Sequence, residues 1–372
     1  MRLIGLGRGP TPEAALDAAL GGGALRGRIA VAVPDPTRPL DPGPALEALA
    51  ARAEGSMLPV VGLGLHRRRT PAEVEALTRW GAIDHDPDDA VPTAIVDGIP
   101  GSVFRPVAEA DLVVGVGVIE LHQYAGVSGG HKAVAVGCGG RATIAALHHR
   151  DRVLAPGVEV GRLDGNPFRA AIDGLGAAAG CRLALCAVPQ AGLWLAGDPV
   201  EVVAAGAAAL NPWTSVPSPV GGAVLRVPAS KGQSLYQASR AATYLALSPR
   251  PPLLPSALLV VEAPMPEGLG AEAGFVAALR GARPPWTSLL RGPPPEGAGA
   301  QRAVMLALLA QRYRLAVAGV LDPAPFVAVG IDATRAPAPR VPGWLDIGAP
   351  FHELPQLMPL PANGSPRAAP RG

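Results

Sequence analysis

The chain has 372 residues, enough for two domains, and 49% of them are apolar against 17% charged. Core material on that scale excludes a disordered chain, although Gly and Pro alone number 47 and 43. Cations and anions nearly balance, 32 Lys and Arg against 30 Asp and Glu, and no block of like charge stands out, which argues against nucleic acid as a partner.

The first twenty residues carry Gly, Pro and Glu where a secretory signal needs its apolar run. No apolar stretch reaches the roughly 18 residues of a membrane span; 253–261 soon meets Glu262 and two prolines. The expectation is a soluble, cytoplasmic chain with no membrane partner. Three cysteines, Cys138, Cys181 and Cys186, are odd in number and lack metal-type spacing, so neither a disulfide framework nor a Cys-based zinc site is expected. Among the cationic residues only Lys132 and Lys231 are lysines. In a chain that otherwise uses arginine, a retained lysine is a candidate for a task that needs a primary amine.

In chain order, 28–33 reads as a buried strand ending in the turn-rich PDPTRPLDPG, followed by a helix over 44–53. A second strand covers 58–65. Thr70-Pro71-Ala72-Glu73 has capping-box form and predicts a helix to about Trp80. A third strand spans 111–119, then a glycine-rich loop leads to a helix over 141–149. Short strands at 183–188 and 193–196 precede a helix at 199–210. The turn-rich NPWTSVPSPVGG at 211–222 marks the expected domain boundary. Beyond it come a strand at 223–227, a helix at 234–247, a strand at 257–262, helices at 271–280 and 301–313, and strands at 315–320 and 326–331. This alternation predicts an α/β protein of two domains, 1–213 and 214–340, each with a mostly parallel sheet flanked by helices. The active site would lie in the crevice between them. The Pro-rich tail, 341–372, is expected to wrap a surface or fray.

Parallel sheets bind ligands at the carboxyl ends of their strands. Three strands of the first half end there in ionisable residues: Asp35 and Arg38 after the first, His66 and Arg67 after the second, Glu120 and His122 after the third. An acid, two imidazoles and a guanidinium would converge in one crevice. The following loop, Ser128-Gly129-Gly130-His131-Lys132, reads either as a backbone nest for a phosphate or as a plain tight turn. It is not a Walker loop, because Ala133 follows the lysine. Lys132 points to amine chemistry, as an amide or Schiff-base nucleophile. His148 and His149 at the end of the next helix read either as cations stabilising its C-terminus or as metal ligands. Cys138 reads as a small buried thiol.

Taken together, DPTRP at 35–39, GLHRRRT at 64–70, HQYAGVSGGHK at 122–132, the helix to His148 and KGQSLYQASR at 231–240 resemble the nickel-dependent lactate racemase family. The resemblance covers about residues 25–270. It implies an isomerase, a racemase or epimerase of a 2-hydroxy acid that uses a covalently attached nickel-pincer nucleotide (pyridinium-3,5-bisthiocarboxylic acid mononucleotide). By resemblance Lys132 would be acylated by the cofactor, His148 would ligate nickel, and His66 and His122 would be the two bases. Arg38, Gln237 and Arg240 would hold the substrate. Asp35, Thr37, Ser128, Gly129 and Gly130 would bind the nucleotide. Arg240 stands where the family usually has lysine. Implied partners are the substrate and the enzymes that make the cofactor; a homo-oligomer is compatible. The competing readings are a cofactor-free, non-catalytic binding protein of the same fold and a His-based metal hydrolase.

Overall fold

The computed structural model describes residues 9–36, 38, 40–352 and 354–358. Thr37, expected to contact the nucleotide, lies outside the described residues, as do the first eight residues and the last fourteen. Among the described residues no helix is long and apolar enough to cross a membrane.

The strands in chain order are β1 Leu25–Pro34, β2 Ala53–Gly62, β3 Ile83–Asp84, β4 Ala90–Val96, β5 Ile99–Phe104, β6 Leu112–Val118, β7 Leu121–His122, β8 Gly126–Val127, β9 Cys181–Val188 and β10 Leu193–Gly197. They continue with β11 Trp213–Val216, β12 Val220–Arg226, β13 Leu253–Glu262, β14 Arg314–Ala318, β15 Asp332–Ala333, β16 Leu345–Ile347 and β17 Leu354–Leu357. A six-stranded sheet has the order β10-β9-β6-β1-β2-β3. Its strands are parallel except for β10, which returns antiparallel on β9. A five-stranded sheet, wholly parallel, has the order β15-β14-β13-β12-β16. The α/β class with parallel-rich sheets is therefore as expected.

Both sheets are doubly wound. In the first, the chain runs outward from β1 to β2 and β3, then resumes at β6 on the other side of β1. In the second it runs from β12 to β15 and then places β16 on the other side of β12. Each reversal leaves a crevice at the carboxyl ends of two neighbouring strands, where no crossover helix covers the sheet edge. The central strands are apolar on both faces, as in β6 with its LVVGVGV, because helices pack on either side.

Several elements form for legible local reasons. The capping box holds: Thr70 Oγ1 accepts from the Glu73 amide at 3.3 Å, and the Thr70 amide donates to Glu73 Oε2 at 2.7 Å. The helix it starts is short, Pro71–Glu75, with a 3-10 turn following at Thr78–Trp80. The β4–β5 hairpin was not anticipated, although Asp97-Gly98 carries its signal. Both residues take left-handed backbone, φ 49° and 71°, the combination a tight hairpin turn demands.

The strand expected at 326–331 is instead a helical turn, Ala324–Val327, with β15 following. Asp322 Oδ1 accepts from the Ala324 amide at 3.1 Å, and Pro325 sits in the first turn, so this local turn geometry outweighs the apolar run. Part of the Pro-rich tail is built into the sheets: β16 pairs with β12, and β17 pairs with β11.

Candidate active site

One cavity of about 680 Å³ lies at the switch point of the first sheet, at the ends of β1 and β6. Asp35 and Arg38, His66, Ser128, Gly129 and Lys132 reach it from the first sheet, and His148 from the helix Arg141–Leu147 that follows, while Gly130 does not line it. Tyr236, Glu272 and the Pro-rich loop 293–299 close it from the other side. The sequence reading had not assigned Glu272 or that loop to the site. The signal was present in PPPEGAG, where Gly297 and Gly299 hold φ 90° and 78°.

The two histidines assigned as bases are held differently. His122 is buried, and its Nδ1 accepts the Tyr124 and Ala125 amides at 3.3 and 3.1 Å. An acceptor at Nδ1 places the ring proton on Nε2, so neutral His122 offers an N–H. Burial, with Lys132 and Arg38 nearby, keeps its protonation well below the ordinary imidazole range. His66 is half-buried, with Nδ1 at 3.5 Å from Asp35 Oδ2. A proton on that Nδ1 leaves the Nε2 lone pair free.

His148 ends its helix and bonds through Nδ1 to the Ile144 carbonyl at 2.9 Å. The carbonyl can only accept, so Nδ1 carries the proton and Nε2 keeps its lone pair. Metal-ligating histidines take this arrangement, because the back-side bond fixes ring and tautomer together. Burial drives its protonation down to about 4, so the ring is neutral at physiological pH. Phe168 and Tyr124 pack edge-on at 5.4 and 6.0 Å and hold it in place. His149 does something else: it is the N-cap of the next short helix, its Nδ1 accepting from the Asp151 amide.

Lys132 lines the cavity, and burial together with the Arg38 charge lowers its pKa to about 7. A large fraction of free amine therefore exists at neutral pH, the state in which lysine acts as a nucleophile. The loop before it owes its composition to packing as well as to any ligand. A Cβ on Gly129 would stand 2.5 Å from Ile119 Cδ1, and one on Gly130 would stand 2.6 Å from the Pro199 carbonyl oxygen. Both also hold positive φ, 96° and 58°. The Ser128 hydroxyl donates to the Val118 carbonyl at 2.6 Å and accepts from the Glu120 amide at 3.2 Å, so it fixes the end of β6.

Arg38 lines the cavity and donates through Nη1 to Glu120 Oε1 at 2.5 Å. Gln237 and Arg240 are buried beside the site without lining the cavity. The Arg240 guanidinium donates to Gln237 Oε1 and, through Nε, to the Gln237 carbonyl at 3.1 Å. Cys138, Cys181 and Cys186 are free and buried, and burial pushes the Cys138 thiol up to about 12. Among the described residues no group of three or more His, Cys, Asp or Glu side chains is placed to hold a metal ion.

Fold and site together define a doubly wound α/β protein with a small-molecule cavity between two parallel sheets, furnished with an amine of lowered pKa and a neutral imidazole. Residues 10–161 match the family described as the lactate racemase N-terminal domain. No curated protein matches the sequence. The fold is similar to that of the lactate racemase apoprotein from Thermoanaerobacterium thermosaccharolyticum, with TM-score 0.77 at 17% identity over 94% of this chain and 93% of that one. It is also similar to a protein from Thermotoga maritima, with TM-score 0.67 at 14% identity over 92% of this chain and 96% of that one.

Proposed function

We propose that the protein is a racemase or epimerase of a 2-hydroxy acid, working with a nickel-pincer nucleotide attached to Lys132. The observation that carries this reading is the pairing of two groups in one cavity. Lys132 is an amine with its pKa near 7, and His148 has its Nε2 lone pair released by the bond from Nδ1 to Ile144. One imidazole without companion ligands cannot hold a metal alone, but it can complete the coordination of an ion that an organic group already carries. The absence of a three-ligand cluster among the described residues also disfavours the metal-hydrolase reading.

Lys132 would hold the nucleotide by an amide, and His148 would supply the protein ligand to nickel. When bound, the group supplies an electron-poor acceptor for hydride from the α-carbon, which avoids a carbanion beside an anionic carboxylate. Arg38 binds the substrate carboxylate. His66 takes the hydroxyl proton at Nε2, and Asp35 stabilises the imidazolium so formed. His122, buried beside the cavity without lining it, would direct its Nε2–H toward the substrate oxygen and polarise it as it becomes a carbonyl. To complete racemisation, the protonated His66 would hand the proton back from Nε2 to the substrate oxygen. The two histidines are thus unequal, His66 presenting an Nε2 lone pair and His122 an Nε2–H.

The test is coexpression with the enzymes that make the cofactor, followed by intact-protein mass spectrometry, nickel analysis and an assay of D- and L-hydroxy acids. A mass gain on the Lys132 peptide with nickel and interconversion of enantiomers is expected, and Lys132→Arg should lose all three. An unmodified, nickel-free protein after such coexpression would sink the reading and favour a non-catalytic binding protein of this fold.

A further inference from the structure

We propose that Lys231 is a positioning residue: from the second sheet it holds the Glu120 carboxylate, and through Glu120 it fixes the Arg38 guanidinium at the cavity. The inference rests on the reading of Arg38 as the anchor for the substrate carboxylate.

Lys231 follows β12, Glu120 follows β6 and Arg38 follows β1, so the three meet where the two switch points face each other. Lys231 Nζ donates to Glu120 Oε2 at 2.5 Å, and Arg38 Nη1 donates to Glu120 Oε1 at 2.5 Å. Each carboxylate oxygen thus serves one cation. The side chains of Glu120 and Lys231 are only 2% and 3% exposed, and that of Arg38 is 12% exposed. The Glu120 backbone is fixed as well, since its amide donates to Ser128 Oγ and its carbonyl accepts from the Ser128 amide at 2.8 Å. Burial alone would raise the Glu120 carboxyl, but the Lys231 and Arg38 charges overcome it and hold it at about 2.

The division of the two oxygens decides where Arg38 points. A guanidinium beside a carboxylate with both oxygens free takes the two-pronged geometry. With Lys231 on Oε2, Arg38 makes one bond to Glu120, through Nη1 to Oε1, and lines the cavity. Lys231 is held from behind by the Phe351 ring, with Nζ 4.4 Å from its centroid. A planar arginine fork at 231 would compete for both oxygens, which accounts for a lysine in a chain that otherwise uses arginine.

The experiment measures oxalate binding by calorimetry and thermal unfolding for the full chain, Arg38→Met, Lys231→Met and the double variant Glu120→Gln/Lys231→Met. Oxalate stands in for the planar, carboxylate-bearing ligand. Wild type is expected to bind it and Arg38→Met is not. Lys231→Met should lower Tm and weaken oxalate by about tenfold or more, because it strands a buried carboxylate on Arg38 alone. The double variant removes the stranded charge and should recover Tm, yet oxalate should stay weak because Gln no longer holds Arg38 by charge. Wild-type affinity in Lys231→Met, or affinity that returns with Tm in the double variant, would leave Lys231 merely structural and overturn the proposal. Failure of wild type to bind oxalate, or undiminished binding by Arg38→Met, would instead remove the Arg38 anchor on which the inference rests.

Discussion

Amine-selective acylation of Lys132 across pH tests the chemistry of the site without any cofactor. An ordinary lysine has a pKa near 10.5, and the folded environment lowers that of Lys132 to about 7, chiefly through burial and then through the Arg38 charge. At pH 7 an ordinary ε-amine is unprotonated in roughly one molecule in 3,000, while Lys132 is unprotonated in about half. The gain in nucleophilic form is on the order of a thousandfold, although the lower basicity returns part of it as weaker intrinsic nucleophilicity. The assay is pulse labelling with an acetylating reagent at a series of pH values, with each lysine peptide quantified by mass spectrometry and urea-unfolded protein as reference. Labelling of Lys132 should rise with a midpoint near pH 7 when folded and near 10.5 when unfolded. Arg38→Met should move the folded midpoint upward by removing a neighbouring positive charge. A folded midpoint near 10 would show that the amine is well solvated and would refute the argument that this cavity prepares it for acylation.

The unequal histidines give a direct spectroscopic expectation: ¹⁵N spectra at neutral pH should show the proton of His122 on Nε2 and that of His148 on Nδ1, and the reverse in either ring would contradict the hydrogen bonds described above. In the loaded enzyme His122→Gln, which keeps an N–H donor, should be more active than His122→Ala, whereas His66→Gln should lose about 100- to 10,000-fold. His85 is buried with Nε2 bonded to the Gly139 carbonyl at 2.9 Å, and burial lowers its pKa to about 4. Its contribution to stability is complete above pH 6.5 and is lost as pH falls toward 4, because the unfolded chain binds the extra proton in that window; His85→Gln should therefore flatten the decline of stability over that range, and an unchanged slope would place its cause elsewhere. Thr70→Ala should cost about 1 kcal/mol in a denaturant titration by removing the capping box, and a cost near zero would show that Pro71 alone starts the helix.

The sequence by itself determined what depends on neighbours along the chain. Buried apolar runs gave β1, β2, β6 and most of the later strands; Thr70 and Glu73 declared their capping box three residues apart; and the retention of Lys132 among arginines marked an amine that lines the cavity. The order Asp35, Arg38, His66, His122 at strand ends was enough to place ionisable groups at one sheet edge. The hairpin signal at Asp97-Gly98 is equally local, while the turn at Ala324–Val327 shows a short apolar run yielding to Asp322 and Pro325. What only the tertiary structure decided is set by partners far apart in sequence. Glu120 and Lys231 are 111 positions apart, and nothing local marks the carboxylate as the shared partner of Lys231 and Arg38. The proton positions on His122 and His148 likewise depend on which backbone groups face Nδ1 after folding. Residue type names the chemistry a side chain can do, but the hydrogen bonds that select its protonated atom, and the charges that shift its pKa, exist only once the two sheets are packed together.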